Sequence, residues 1–224
     1  MKTENKKKQQ DNYFAFDFVK ITGAIPALLW MRPKVVYTGE KKLKKGGFLI
    51  TANHNSLTDP LLVLCVFWKR HMHCLATKDL YRTKFMNKFL PLMKCIQVDK
   101  ENFTINSFHE VVRRLKGGKI VLIFPEGRVD ASATEVAAFK SGAILMAHRS
   151  NVPILPIYIA KPQKWYSRRV VVIGDPFNVR DYCGVIPKVE DLERTSDELK
   201  NIEENLKIFY EEKIKKEKKE ISHE

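Results

Sequence analysis

Cysteine is scarce in this 224-residue chain. There are four, Cys65, Cys74, Cys95 and Cys183, and their spacing fits neither a disulfide framework nor a zinc ribbon. They are expected to be reduced and to behave as small buried hydrophobes. A metal site could be forced onto His71-Met72-His73-Cys74, but alternation along a strand explains that run better, and no metal is expected. Acidic residues are also in deficit: 26 Asp and Glu face 40 Lys and Arg, a formal net charge of +14. Such an excess implies an anionic partner, whether nucleic acid, an acidic membrane or a phosphorylated substrate. No nucleic-acid-binding motif accompanies it, so nucleic acid is not the expected partner. There is no G-x-S-x-G elbow to mark a serine nucleophile and no internal repeat. There is no charge-free apolar run of the ~20 residues that a spanning helix needs. The first ten residues are polar and no A-x-A-like cleavage site follows the apolar stretch, so a secretory leader is not expected.

What is present reads as one α/β domain. Hydrophobic residues make up 44% of the chain, enough for a full core. Residues 1–12 are a lysine-rich lead, expected to be disordered. Residues 13–33 are apolar and aromatic but contain Asp17, Lys20, Gly23 and Pro26. They suit one or two short helices lying at a membrane interface, with Trp30 and the phenylalanines as anchors. Strands are expected at 35–37, 48–52, 71–77, 95–98, 120–124, 152–159 and 169–173. Pro153 and Pro156 suggest that the sixth is an edge strand or carries a bulge. Helices are expected over about 60–69, over 78–94 as one basic amphipathic stretch, over 107–116 and over 135–148. Another begins near Thr195. Capping boxes are read at Ser107/Glu110 and Thr195/Glu198. The expected architecture is a central mixed, largely parallel sheet flanked by helices. It divides into the amphipathic segment 13–33, a main domain 34–194, and a C-terminal helix and charged tail 195–224.

The chain is organised around Asn53-His54-Asn55-Ser56-Leu57-Thr58-Asp59-Pro60, between a strand and a helix. Such junctions are where α/β proteins place their chemistry. An imidazole at His54 can take a proton near neutral pH, and a carboxylate at Asp59 can fix its tautomer and stabilise the imidazolium. Asp59 before Pro60 is equally readable as a helix N-cap followed by proline in the first turn. The strand 120–124, apolar throughout, delivers Phe124-Pro125-Glu126-Gly127-Arg128 at its carboxyl end. If the sheet is parallel, residues 53–59, 99–100 and 124–128 gather at one crevice.

With these two motifs the chain resembles the glycerolipid acyltransferases, whose best-known members are the 1-acylglycerol-3-phosphate (lysophosphatidate) acyltransferases. Asn53-His54-x-x-x-x-Asp59 and Phe124-Pro125-Glu126-Gly127-Arg128 match two of the family's blocks. Cys95-Ile96-Gln97-Val98-Asp99-Lys100 and Val152-Pro153-Ile154-Leu155-Pro156-Ile157 resemble two more, and Phe139-Lys140-Ser141-Gly142-Ala143 matches an intervening lysine-glycine segment. The likeness covers about residues 35–175 and departs from the family at three places. Cys95 stands where a glycine is usual, Lys100 where an arginine is usual, and Arg128 follows Gly127 without the common threonine. The resemblance implies transfer of an acyl group from a thioester, acyl-CoA or acyl-carrier protein as co-substrate, to a lysophosphatidate-type hydroxyl. His54 and Asp59 would be catalytic, and Lys100, Phe124, Pro125, Glu126, Gly127, Arg128 and Lys140 would bind substrate. No other cofactor is expected. The implied location is an anionic bilayer, on the cytoplasmic face of the cell membrane.

Overall fold

The computed structural model describes residues 13–39, 45–98, 104–125, 133–162, 167–184 and 186–221. Seven strands form one sheet: β1 (Lys34–Tyr37), β2 (Phe48–Ala52), β3 (Met72–Thr77), β4 (Ile96–Val98), β5 (Ile120–Ile123), β6 (Ile154–Ile159) and β7 (Val170–Ile173). Their spatial order is β1-β7-β6-β2-β5-β3-β4. The run β6-β2-β5-β3-β4 is parallel throughout, and β7 reverses against β6. The sheet is therefore mixed and largely parallel, as the alternation of strands and helices implies.

Among the described residues, six α-helices accompany it: α1 (Phe14–Met31), α2 (Asp59–Val66), α3 (Lys84–Leu92), α4 (Ile105–Lys116), α5 (Ala133–Ser150) and α6 (Val189–Ile221). β2 and β5 carry no polar residue on either face except Thr51, because both faces are covered. Ile50, Ile120 and Leu122 pack with Phe16, Met31 and Leu62 of α1 and α2. Leu49, Val121 and Ile123 pack with Val111, Leu115, Ile144 and Leu199 of α4, α5 and α6. The loop after β2 thus leads to a helix on one face and the loop after β5 to a helix on the other.

α1 is one helix, not two. Phe16 and Met31 are fully buried in the core, whereas Phe14, Phe18, Ile21, Ile25, Leu29 and Trp30 face outward. The polar ties of α1 lie on its inner side: Asp17 accepts from His71 Nε2 at 3.0 Å and pairs with Lys20 at 3.1 Å. The Tyr13 hydroxyl meets His73 Nε2 at 3.2 Å.

Several local expectations give way. Residues 78–94 are not one helix: a 3-10 helix, Lys78–Arg82, stops at extended Thr83, whose hydroxyl caps α3 by accepting from the Met86 N–H at 3.1 Å. The cap of α4 is Thr104, not Ser107. Ser107 donates to the Gln97 carbonyl instead, and Glu110 is taken by Arg113 and Arg114. α6 starts at Val189, so Thr195 is a buried interior residue whose hydroxyl donates to the Asp191 carbonyl four residues back. β6 lies inside the sheet, not at its edge, and a bulge accommodates Pro156. Between the pairs Ile154–Phe177 and Ile157–Ile173, the three residues Gly174–Pro176 oppose the two residues Leu155 and Pro156. Gly174 donates to the Pro156 carbonyl at 2.9 Å. It sits so close that an added Cβ would come within 3.1 Å of the proline ring.

Candidate active site

The chain leaves the sheet after Ala52, and four side chains rebuild the contacts that the turn gives up. Asn53 takes over the next rung toward β6: its amide donates to the Ile159 carbonyl at 3.0 Å and accepts from the Ile159 N–H at 2.7 Å. Asn55 donates to the same carbonyl at 2.7 Å. His54 is thus flanked by two asparagines hooked to one residue of a buried strand. Ser56 closes the turn by accepting from the Thr58 N–H. Asn53 and Ser56 shape the loop.

Asp59 is the pivot. Only 1% exposed, it accepts through a single oxygen, Oδ2, from the N–H of Asn55 at 2.6 Å, the N–H of Ser56 at 2.7 Å and His54 Nδ1 at 3.1 Å. The capping residue of α2 is Thr58, and Asp59 belongs to the first turn. Its side chain reaches back into the loop, so the simple N-cap reading does not describe it. With Nδ1–H committed to the carboxylate, the neutral ring carries its lone pair on Nε2. Phe124, at the end of β5, lies flat on the His54 ring with centroids 4.3 Å apart and planes at 24°. The ring is gripped at its edge by a carboxylate and on its face by an aromatic.

His54 and Phe124 also line an apolar cavity of about 320 Å³. Its walls include Leu64 of α2, Met72, Cys74 and Ala76 of β3, and Met86, Phe89 and Met93 in and after α3. Burial pushes the Cys95 thiol in this wall up to about 11 and the Cys65 thiol upward too, so neither is a thiolate near neutral pH.

Of the residues expected in the site, the structure brings His54, Asp59 and Phe124 together and buries Pro125 directly behind Phe124. Lys100, Glu126, Gly127 and Arg128 lie outside the described residues, and so does the side chain of Lys140 within α5. Asn55 and the cavity wall were not anticipated. Asn55 could be noticed beside His54, but nothing local says that Ile159, 104 residues away, will meet it.

The 1-acyl-sn-glycerol-3-phosphate acyltransferase of Bacillus subtilis is 27% identical over 193 residues, spanning 82% of this chain and 95% of the relative. That of Borreliella burgdorferi is 27% identical over 191 residues, covering 83% and 74%. The crystal structure of the 1-acyl-sn-glycerophosphate (LPA) acyltransferase PlsC from Thermotoga maritima shares the fold. Its TM-score is 0.59 at 21% identity, over 87% of this chain and 79% of that one. The pattern that defines the family described as Acyltransferase matches residues 34–160, more than half of the chain and the whole of the site just built. The chain belongs to the acyltransferase family.

Proposed function

We propose that this enzyme transfers a fatty acyl group from a thioester, acyl-CoA or acyl-carrier protein, to the free hydroxyl of 1-acylglycerol 3-phosphate. The product is phosphatidic acid for phospholipid synthesis. The observation that carries the reading is the His54–Asp59 pair, with His54 lining an apolar cavity whose described wall holds no other imidazole and no carboxylate. At about 320 Å³ the cavity falls at the small end of ligand pockets, which run roughly 300–1,000 Å³. Its lining suits a hydrocarbon chain.

The geometry supports the following chemistry. The acceptor hydroxyl attacks the thioester carbonyl as His54 Nε2 removes its proton. Asp59 holds the tautomer and stabilises the imidazolium. The tetrahedral intermediate collapses, the C–S bond breaks, and Nε2–H protonates the leaving thiolate. One ester and one thiol result, and no acyl-enzyme is required. Lys100, Arg128 and Lys140 are proposed to bind the acceptor phosphate, with Glu126 and Gly127 shaping that loop. The relatives named above act, by their names, on that acceptor. The outward apolar face of α1 and the net charge of +14 support work at an anionic membrane face, proposed to be the cytoplasmic one.

The test is acyl transfer from radiolabelled oleoyl-CoA to a panel of lysolipids, with His54→Ala as the control. The expected result is labelled phosphatidic acid with the wild-type enzyme and a loss of about 10²–10⁴-fold in the folded variant. Label in the diacyl product of another lysophospholipid, with none in phosphatidic acid, would reassign the acceptor.

A further inference from the structure

The catalytic reading leaves the outer surface of residues 78–94 unused. Neither the 3-10 helix Lys78–Arg82 nor α3 has a fully buried side chain, yet together they wall the cavity on one side. Their apolar residues face two ways. Met86, Phe89, Leu90 and Met93 look into the cavity. Phe85, 68% exposed, and Leu92 look out. The Phe85 ring stacks on Phe89 at 5.5 Å, so an inward ring holds the outward one in place. Leu57 is 80% exposed and Leu80 41% exposed, and yet both line the cavity, as does the half-exposed Leu61. The apolar wall therefore continues onto the outer surface between the start of α2 and the 3-10 helix. Within residues 78–94 the basic side chains outnumber the one acid. Lys84 and Lys88 are exposed on α3, and the acid of the segment, Asp79, is taken by Arg82 at 2.7 Å.

We propose that the lip of Leu57, Leu61, Leu80, Phe85 and Leu92, with Lys84 and Lys88, docks on an anionic lipid bilayer. It would set the cavity mouth in the headgroup region, so that an acyl chain enters without crossing water. This rests on the reading of the cavity as an acyl site. The lip is separate from α1 in sequence, and its chemistry is that of an interfacial helix: outward aromatic and aliphatic side chains bordered by lysines that meet acidic headgroups. A bilayer fits better than a protein partner because the exposed apolar surface is continuous with a hydrocarbon-lined cavity.

The test uses the full chain with two double variants outside the cavity and the catalytic pair, Phe85→Ser/Leu92→Ser and Lys84→Ala/Lys88→Ala. Each is checked for folding by circular dichroism. Binding is read by flotation on vesicles of phosphatidylcholine alone or doped with phosphatidylglycerol. Activity is read on long-chain lysophosphatidate embedded in those vesicles and on a short-chain, monomeric lysophosphatidate. Phe85→Ser/Leu92→Ser should float less on both vesicles and lose turnover of the embedded acceptor while keeping that of the soluble one. Lys84→Ala/Lys88→Ala should bind doped vesicles roughly tenfold or more weakly, since each basic residue near an anionic surface contributes about 1 kcal/mol. It should be unchanged on neutral ones. Wild-type flotation and embedded-acceptor turnover in both variants overturn the proposal, and so does equal loss on the embedded and soluble acceptors. If the wild type acylates no lysolipid at all, the catalytic reading fails. Flotation still decides the docking.

Discussion

At the residue scale, Asp59 has two jobs on one oxygen: it orders the loop through two main-chain N–H groups and it orients His54. Two substitutions separate them. Asp59→Asn keeps an oxygen for the N–H groups but loses the charge that stabilises the imidazolium. The rate should fall by about 10²–10⁴-fold with the melting temperature near that of wild type. Asp59→Ala strands both N–H groups and should cost about 1–3 kcal/mol of stability in denaturant titration. A wild-type rate in folded Asp59→Asn would reduce the residue to a loop tie. His73 gives a second prediction. Burial, aided by the nearby Arg114 guanidinium, pushes its pKa down to about 3. In the unfolded chain the same group takes a proton near 6.5, so the unfolded state binds more protons between these values. Stability should therefore decline as pH falls from about 6.5 toward 3. Glu110, held down to about 2 by its hydrogen bonds to Arg113 and Arg114, adds its own loss only below 4.5. A urea midpoint that changes less in His73→Gln than in wild type between pH 6.5 and 4.5 would isolate the histidine.

At the element scale, α1 serves two environments. Because Phe16 and Met31 belong to the core, deleting the helix would remove part of the fold together with any anchor. The informative change leaves the inner face alone. Phe14, at 79% exposure, and Leu29, at 74%, face outward. Phe14→Ser/Phe18→Ser/Leu29→Ser should keep the wild-type thermal midpoint within a few degrees, since exposed positions usually change stability by less than about 0.5 kcal/mol. Flotation with liposomes should drop. Undiminished flotation would remove α1 as a membrane contact.

At the scale of the whole molecule, the charge of +14 acts at long range and the apolar faces act on contact. The two respond differently to salt, because charges farther apart than ~8 Å are screened at physiological ionic strength whereas apolar burial is not. Binding to anionic vesicles should weaken as salt is raised and level off at the value seen with neutral vesicles. Equal binding to neutral and anionic vesicles at low salt would show that the charge serves another purpose.

The sequence by itself determined the fold class, the sheet strands to within a residue or two, and the pairing of His54 with Asp59. Each of these is written in short-range pattern: unbroken apolar runs for strands buried on two faces, and a histidine and an aspartate on one turn. The tertiary structure decided what the pattern leaves degenerate. A Ser/Thr followed three residues later by Glu occurs at Ser107 and at Thr195, and neither caps a helix. Ser107 found the Gln97 carbonyl of a neighbouring strand, and Thr195, inside α6, meets the Cys183 sulfur at 3.0 Å. Pro156 was placed inside the sheet because a bulge three residues long stands opposite it. The cavity beside His54 belongs to no local stretch. Its wall is assembled from α2, β3 and α3, elements that only chain folding brings around one space.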